Sequence, residues 1–322
     1  MKKSIMNNCR SCGSSNIIIN SNKAAISPFF AERVHGIYLP TLAEYIQFRI
    51  TPLNTSIKKI ILILCKVILA LPYASKLFSL RSMPMVDFFI CKECFFSSPT
   101  KEYQDQELAS LYIGYRGTAY NEERIQLEPE YKKISAFIGN DIYEINSRQE
   151  NINLLLKTTG LVHKVKSLID WGGGDGRFVP ELLSSKKVYV YDISGEKVFN
   201  KSFVSISDRK LLPQVDYIQV CHVLEHVGDP RGLLIDVLNN LKSGGFLYIE
   251  VPVDRDVDEI KDMIANYDLA KFVIHEHINL FSDISIKKLG ENVGLEVLSV
   301  NTTSIKLSRG YAKIISALFQ KN

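Results

Sequence analysis

The sequence is poor in cysteine, tryptophan and proline, with six, one and 11 of them in 322 residues. Six cysteines are too few for a disulfide-built scaffold, and four of them fall in two Cys-x-x-Cys pairs, a spacing typical of metal or redox sites in reducing compartments. The prolines and the 18 glycines are too sparse for a collagen-like or low-complexity chain. An excess of one charge is also missing: 39 Lys and Arg against 35 Asp and Glu leave +4. That is far from the concentrated basic footprint of a nucleic-acid binder, so nucleic acid is not expected as a partner. No apolar run approaches the roughly 20 residues of a bilayer span. The basic start at Met1-Lys2-Lys3 has no apolar stretch behind it, which speaks against a secretion signal and for a cytoplasmic location.

What is present is a hydrophobic fraction of 46%, enough for about two domains with a sizeable core. Residues 1–100 carry 12 basic and 4 acidic side chains, whereas the rest of the chain is net acidic. Three segments follow from such shifts: a zinc-binding N-terminal domain over 1–100, a helical linker or lid over 101–160, and an α/β domain over 161–322. The first is bracketed by Cys9-Arg10-Ser11-Cys12-Gly13 and Cys91-Lys92-Glu93-Cys94. Two such knuckles can give four thiolates to one tetrahedral structural zinc, and Gly13 allows the tight turn. The alternatives are two unrelated thiol pairs or a redox pair. The long gap between Cys12 and Cys91 implies an insert, expected to be helical. Within it, 58–76 combines about 12 apolar residues with Lys58, Lys59, Lys66 and Lys76. It reads either as a buried helix or as an interfacial helix touching a membrane surface peripherally.

From 161 onward short apolar strands alternate with helical stretches, the pattern of a parallel sheet wrapped by helices. Strands are expected at Ser167–Asp170, Val188–Tyr191, Phe203–Ile206, Asp216–Val220 and Phe246–Val251, with a last pair near Leu295–Thr302 and Ser304–Ser308. The first strand runs into Asp170-Trp171-Gly172-Gly173-Gly174-Asp175-Gly176-Arg177. Gly172, Gly174 and Gly176 allow a sharp turn and close approach of a ligand, and a helix to about Leu183 would present free amides. A dinucleotide fingerprint needs glycine at 177. Arginine stands there instead, which suits a ligand without a pyrophosphate. Asp192, at the tip of the neighbouring strand, can accept both ribose hydroxyls of a nucleoside.

These residues, with Cys221-His222-Val223-Leu224-Glu225-His226-Val227-Gly228-Asp229-Pro230 and Leu241–Pro252, resemble the class I S-adenosylmethionine-dependent methyltransferases over about 105–310. The resemblance implies a Rossmann-like seven-stranded sheet with an antiparallel last strand. It implies cofactor contacts from Asp170, Gly172, Gly173, Gly174 and Gly176, from Asp192 at the ribose, from Ser207 or Asp208 near the adenine, and from the backbone of Cys221 and His222 near the sulfonium. Paired cysteines ahead of such a domain, together with His275-Glu276-His277-Ile278-Asn279-Leu280-Phe281-Ser282, look like the zinc-containing sugar methyltransferases, the sugar C-methyltransferases among them. In those relatives the acid-His pair, here Glu276 and His277, and a histidine at the place of His226 line the acceptor pocket. Ile274 stands where they have tyrosine, which leaves O-methylation open beside C-methylation.

Histidine suits the task of taking a hydroxyl proton near neutral pH, so His226, His277 and Glu276 are the expected catalytic residues. A sugar in nucleotide-linked or glycan form is the expected acceptor. A different small-molecule acceptor and a catalytically silent partner subunit are the alternatives. Tyr112, Tyr115, Tyr120 and Arg124 can form a lid, with Arg124 or Arg148 meeting the methionine carboxylate.

Overall fold

The computed structural model describes residues 7–37, 83–115, 117–266 and 272–322. The middle of the insert, 38–82, with its apolar stretch at 58–76, lies outside the described residues; the described flanks of the insert hold two strands and one short helix, where a helical insert was expected. No helix among the described residues is long and apolar enough to cross a membrane.

Two sheets organise the chain. The smaller has four strands, β1 (Ile17–Ile26), β2 (Met85–Cys91), β3 (Ser97–Pro99) and β9 (Phe272–Ile274), in the order β3-β2-β1-β9. Its strands come from both ends of the chain: β1 pairs antiparallel with β2 and parallel with β9. Helix α1 (Pro28–His35) follows β1, with the Ser27 hydroxyl accepting from Phe30 N and Pro28 in the first turn, where its missing N–H costs nothing.

The larger sheet has seven strands: β4 (Ser167–Trp171), β5 (Lys187–Tyr191), β6 (Val204–Ile206), β7 (Val215–Cys221), β8 (Leu241–Pro252), β10 (Leu295–Leu307) and β11 (Gly310–Lys321). Their order is β10-β11-β8-β7-β4-β5-β6. All pairings from β6 to β8 are parallel, and β11 runs antiparallel to both its neighbours. Five strands thus lie where apolar runs predict them.

The expected last pair does not. β10 continues without a break to Leu307, and the hairpin turns at Ser308 and Arg309. A ladder along β11 holds the polar Asn301–Ser304 stretch extended, and no glycine or proline breaks it. The strand missed is β11, whose Ile314–Phe319 run is buried on both faces between β8 and β10. Such a run has no alternation by which to separate strand from helix.

The residues between β4 and β5 also differ from expectation. No α-helix follows the glycine loop; the segment holds turns and one 3-10 turn at Glu181–Leu183. Left-handed φ at Gly172, Gly174 and Gly176 and extended Pro180 leave too few consecutive residues for a helix before β5 begins. The stretch after Asp192 is likewise without a helix.

Helical structure over 101–160 is as expected: α2 (Asp105–Ala109), α3 (Thr118–Leu127) and α4 (Ile142–Thr158). Asp141 caps α4 through Tyr143 N and also accepts from Ser308 N and Oγ, tying this helix to the β10–β11 hairpin. Three more helices, α5 (Pro230–Leu238), α6 (Val257–Asn266) and α7 (Asp283–Asn292), lie between the later strands. One apolar cluster joins Cys9, Cys91, Cys94 and Phe96 to Ile218, Val220 and Phe281, so the cysteine knuckles pack on the large sheet. Ser282 Oγ donates to Cys94 O, and Ser11 Oγ to Ser285 O.

Candidate active site

A cavity of about 1140 Å³ opens where β4, β5 and β7 end. Its floor is the glycine loop. Gly172 has φ +72°, and a Cβ there would stand 2.4 Å from Val223 Cγ2; at Gly173 a Cβ would meet the Asp170 carboxyl at 2.3 Å. Any larger residue would fill the cradle. Gly172 N donates to Tyr191 O and Gly174 N to Asp192 Oδ2, the latter at 2.8 Å. Asp192 Oδ1 accepts from Ser194 N at 2.8 Å, which leaves lone pairs on both oxygens for a ligand.

Asp170 is buried beneath the loop. Its Oδ1 accepts from Gln219 Nε2 at 2.8 Å, and Oδ2 has no partner among the described residues. Burial pushes its carboxyl up to about 7, against the Gln219 hydrogen bond and the Arg148 charge. Cys221 and His222 line the cavity at the end of β7. His222 sits at φ +54°, its N donating to Glu250 O at 2.8 Å.

Two expected cofactor residues are placed elsewhere. Gly176 does not line the cavity; it backs the loop against Val190 and Phe203. Asp208 is exposed, caps a 3-10 turn by accepting from Lys210 N and also lies outside the cavity. Short β6 and the short loop behind it keep Asp208 from reaching inward.

The same cavity contains His226, Glu276 and His277. The two imidazoles face each other with ring centroids 4.8 Å apart at 74°. His226 Nδ1 lies 3.3 Å from the Glu276 carbonyl oxygen, and His277 Nδ1 lies 3.0 Å from each oxygen of Asp254. Burial, then the neighbouring His277, lower the His226 pKa, and the nearby Glu225 and Glu276 do not outweigh them. For His277 burial works against the charge, yet the Asp254 hydrogen bond and charge prevail and raise it to about 9.

Glu276 differs from expectation. Its side chain accepts from Tyr120 OH at 2.9 Å and pairs with Arg124, so its carboxylate orients neither imidazole; its backbone carbonyl does that for His226. The arginines are committed too. Arg124 pairs with Glu276 and Glu128, and Arg148 with Glu250 and Glu144, so each already has protein carboxylates where a methionine carboxylate was expected. Tyr112, Tyr115 and Tyr120 form a chain of edge-to-face contacts, and Tyr112 reaches His226 at 5.7 Å between centroids.

Sequence reasoning missed Glu225 and Asp254. Glu225 is fully buried, and although burial alone would raise its carboxyl, His222, His226 and His277 hold it at about 2. Asp254 follows the end of β8 by two residues. Its place at the carboxyl edge of a parallel strand, where ligands of such sheets bind, was the available signal. The four knuckle cysteines converge: Cys9 Sγ is 3.6 Å from Cys94 Sγ, and Cys12 Sγ 3.5 Å from Cys91 Sγ, with all four within 4.8 Å of one another. No disulfide joins the described cysteines, and the four together could hold one metal ion.

Residues 143–300 match a family profile described as a methyltransferase domain. No curated protein matches the chain. Among solved structures, the chain is similar to magnesium protoporphyrin IX methyltransferase from Synechocystis PCC 6803 with bound SAH, at 15% identity over 66% of this chain and 99% of that one, with a TM-score of 0.42. It is also similar to a SAM-dependent methyltransferase from Methanosarcina mazei, at 15% identity over 48% and 92% of the two chains and a TM-score of 0.36. An O-methyltransferase family protein from Burkholderia thailandensis matches at 15% identity over 69% and 64%, with a TM-score of 0.37.

Proposed function

We propose that this chain, an enzyme that methylates with S-adenosylmethionine, takes as its acceptor a hydroxyl group of a sugar, in nucleotide-linked or glycan form. The observation that carries the reading is the pairing of His226 and His277 in one cavity with the glycine loop, each imidazole held at Nδ1 by an oxygen. The cradle at Gly172 and Gly173 and the unpartnered Asp170 Oδ2 fit a ligand pressed close to backbone, and Asp192 is the residue for its ribose hydroxyls. Bound there, the cofactor supplies a methyl group on a cationic sulfur, open to in-line attack.

The rest is the work of this chain's own residues. The carbonyl of Glu276 can only accept, so His226 carries its proton on Nδ1 and offers the Nε2 lone pair to the acceptor's hydroxyl proton. His277, fixed by Asp254, is placed to hold a second hydroxyl of the same ring. Arg124 and Tyr120 anchor the Glu276 side chain and thereby the loop that carries the Glu276 carbonyl and His277. The alignment of acceptor and methyl carbon is then a matter of positioning, to which a well-oriented site can contribute about 7–11 kcal/mol. Aromatic Tyr112 and Tyr115 beside imidazoles and carboxylates give the mixed apolar and polar lining that fits a sugar.

Incubation with S-adenosylmethionine labelled in its methyl group and a panel of nucleotide-activated hexoses and deoxyhexoses tests this. Label is expected in a sugar. Label confined to catechols, amines or carboxylic acids in a parallel panel would overturn the acceptor class.

A structural zinc on Cys9, Cys12, Cys91 and Cys94 belongs to the same reading. Thiolates about 2.3 Å from a tetrahedral zinc stand about 3.8 Å apart, close to the 3.5 and 3.6 Å separations here. Elemental analysis is expected to find this zinc in the purified protein and to find it missing from the Cys91→Ser/Cys94→Ser variant; metal-free wild type would refute it. Four reduced thiols suit the cytoplasm, the location proposed for the chain.

A further inference from the structure

Glu225 is 0% exposed, and neither of its carboxylate oxygens has a hydrogen-bond partner among the described residues. Buried carboxylates are normally well bonded, so an orphan of this kind calls for an explanation. Its neighbours of opposite charge among the described residues are in ion-pair contact rather than hydrogen-bonded: His222 Nδ1 lies 3.3 Å and His226 Nε2 3.8 Å from Oε1.

His226 and His277 share a second peculiarity. Each has its Nδ1 against an oxygen acceptor, the Glu276 carbonyl in one case and the Asp254 carboxylate in the other. That arrangement keeps the Nδ1 proton in place and leaves Nε2 as the atom each ring can offer to an ion, with release of any proton it carries. It is the arrangement by which outer carboxylates and carbonyls orient metal-binding histidines. One ligand atom from each of Glu225, His226 and His277 lies within 4.8 Å of the other two.

We propose that Glu225, His226 and His277 form a binding site for one divalent transition-metal ion, separate from the four-cysteine cluster. Two imidazoles and one carboxylate are a ligand set for zinc, cobalt, manganese or iron. Tetrahedral bonds of about 2.1 Å need donors about 3.4 Å apart, so the 3.8 Å between Glu225 and His226 closes with a small side-chain shift. Three protein ligands leave at least one position open toward the cavity, the form of a site that receives a further ligand. An ion there takes the lone pair on His226 that the proposed reaction gives to the acceptor's proton. Ion and proton therefore exclude each other at Nε2, which makes this a site through which metal supply controls turnover. The ion site itself does not depend on which acceptor is methylated.

Titration of the full-length, metal-stripped protein with Co²⁺ tests the site. Cobalt on the cysteines shows intense thiolate charge-transfer absorption, and cobalt on two imidazoles and a carboxylate shows only weak visible bands. A cobalt equivalent without charge-transfer absorption is expected, alongside any bound by the thiolates. Glu225→Gln and His277→Ala should each abolish it while leaving thiolate-bound cobalt and the far-ultraviolet circular dichroism unchanged. Asp254→Asn, which alters only the outer partner of His277, should weaken it by about 10–100-fold. Absence of a non-thiolate equivalent in the wild type, or its survival in both Glu225→Gln and His277→Ala, overturns the site. Methyl transfer to sugars, assayed without added metal, is scored independently, so failure of the acceptor reading and failure of the ion site are told apart.

Discussion

Replacing His226 with alanine is expected to lower kcat by about 10²–10⁴-fold, the usual contribution of a positioned base, with binding of S-adenosylhomocysteine retained. The separation of the two effects follows from where the residue sits. His226 belongs to the 3-10 turn beyond β7 and touches Tyr112, His277 and the Glu276 carbonyl. The glycine loop and Asp192 are held by other bonds, to Tyr191 O, Ser194 N and each other. His226→Asn, which keeps a polar side chain but no basic nitrogen, should be as inactive as the alanine variant. Turnover measured with labelled cofactor, beside calorimetric titration of the demethylated product, separates the outcomes. Full activity in either variant would remove His226 from the chemistry. Loss of product binding in parallel with turnover would make it a structural residue of the cavity.

Much of this site was legible because its parts are local. The glycine spacing at 172–176 and the acid at 192 each follow directly from a short apolar strand, and the strand ends bring them together. The convergence of the knuckle cysteines was legible for a chemical reason: two Cys-x-x-Cys pairs can serve one shared ion, and their sulfurs meet despite the long gap between them. What escaped depends on contacts between distant segments. Three-residue β9 has no periodicity of its own and exists because β1 offers it a free edge. The Glu276 carboxylate turns to Arg124, 152 positions away in sequence, and no spacing rule connects them. Phe95 takes the left-handed conformation, φ +59°, that Gly13 takes after the first knuckle. A phenylalanine there gives no sign of a tight turn. The helix expected after the glycine loop failed for a different reason: Pro180 and the early start of β5 set a limit that the motif alone does not show.

Replacement of Arg148 with methionine should destabilise the protein by about 3–5 kcal/mol, the cost of leaving a buried charge without its partner. Arg148 is 4% exposed and Glu250 0%. Arg148 Nε donates to Glu250 Oε1 at 2.5 Å, Tyr248 OH donates to Oε2 at 2.8 Å, and the guanidinium stacks on Phe178 at 3.7 Å from the ring centroid. Burial alone would push the Glu250 carboxyl up; Arg148 first, then His222, hold it at about 2. Its folded pKa is depressed, so its contribution is present above the ordinary carboxylate range and is lost as pH falls toward 2. Without Arg148 the carboxylate must stay charged in an apolar setting or take up a proton on folding. Either way stability at pH 7 falls, and the loss should shrink as pH is lowered. Methionine preserves the packing against Phe178, so the loss measures charge rather than volume. Arg148→Met combined with Glu250→Gln should recover much of it, because the fully buried carboxylate is then gone and only the part-exposed Glu144 is left without its arginine. Urea denaturation of the two variants and the wild type at pH 7 and pH 5 decides. Equal midpoints for wild type and Arg148→Met would show that the pair adds nothing. A double variant no better than the single would place the cost in the lost hydrogen bond to Tyr248 and the lost ion-pair contact with His222, which link this pair to the edge of the cavity.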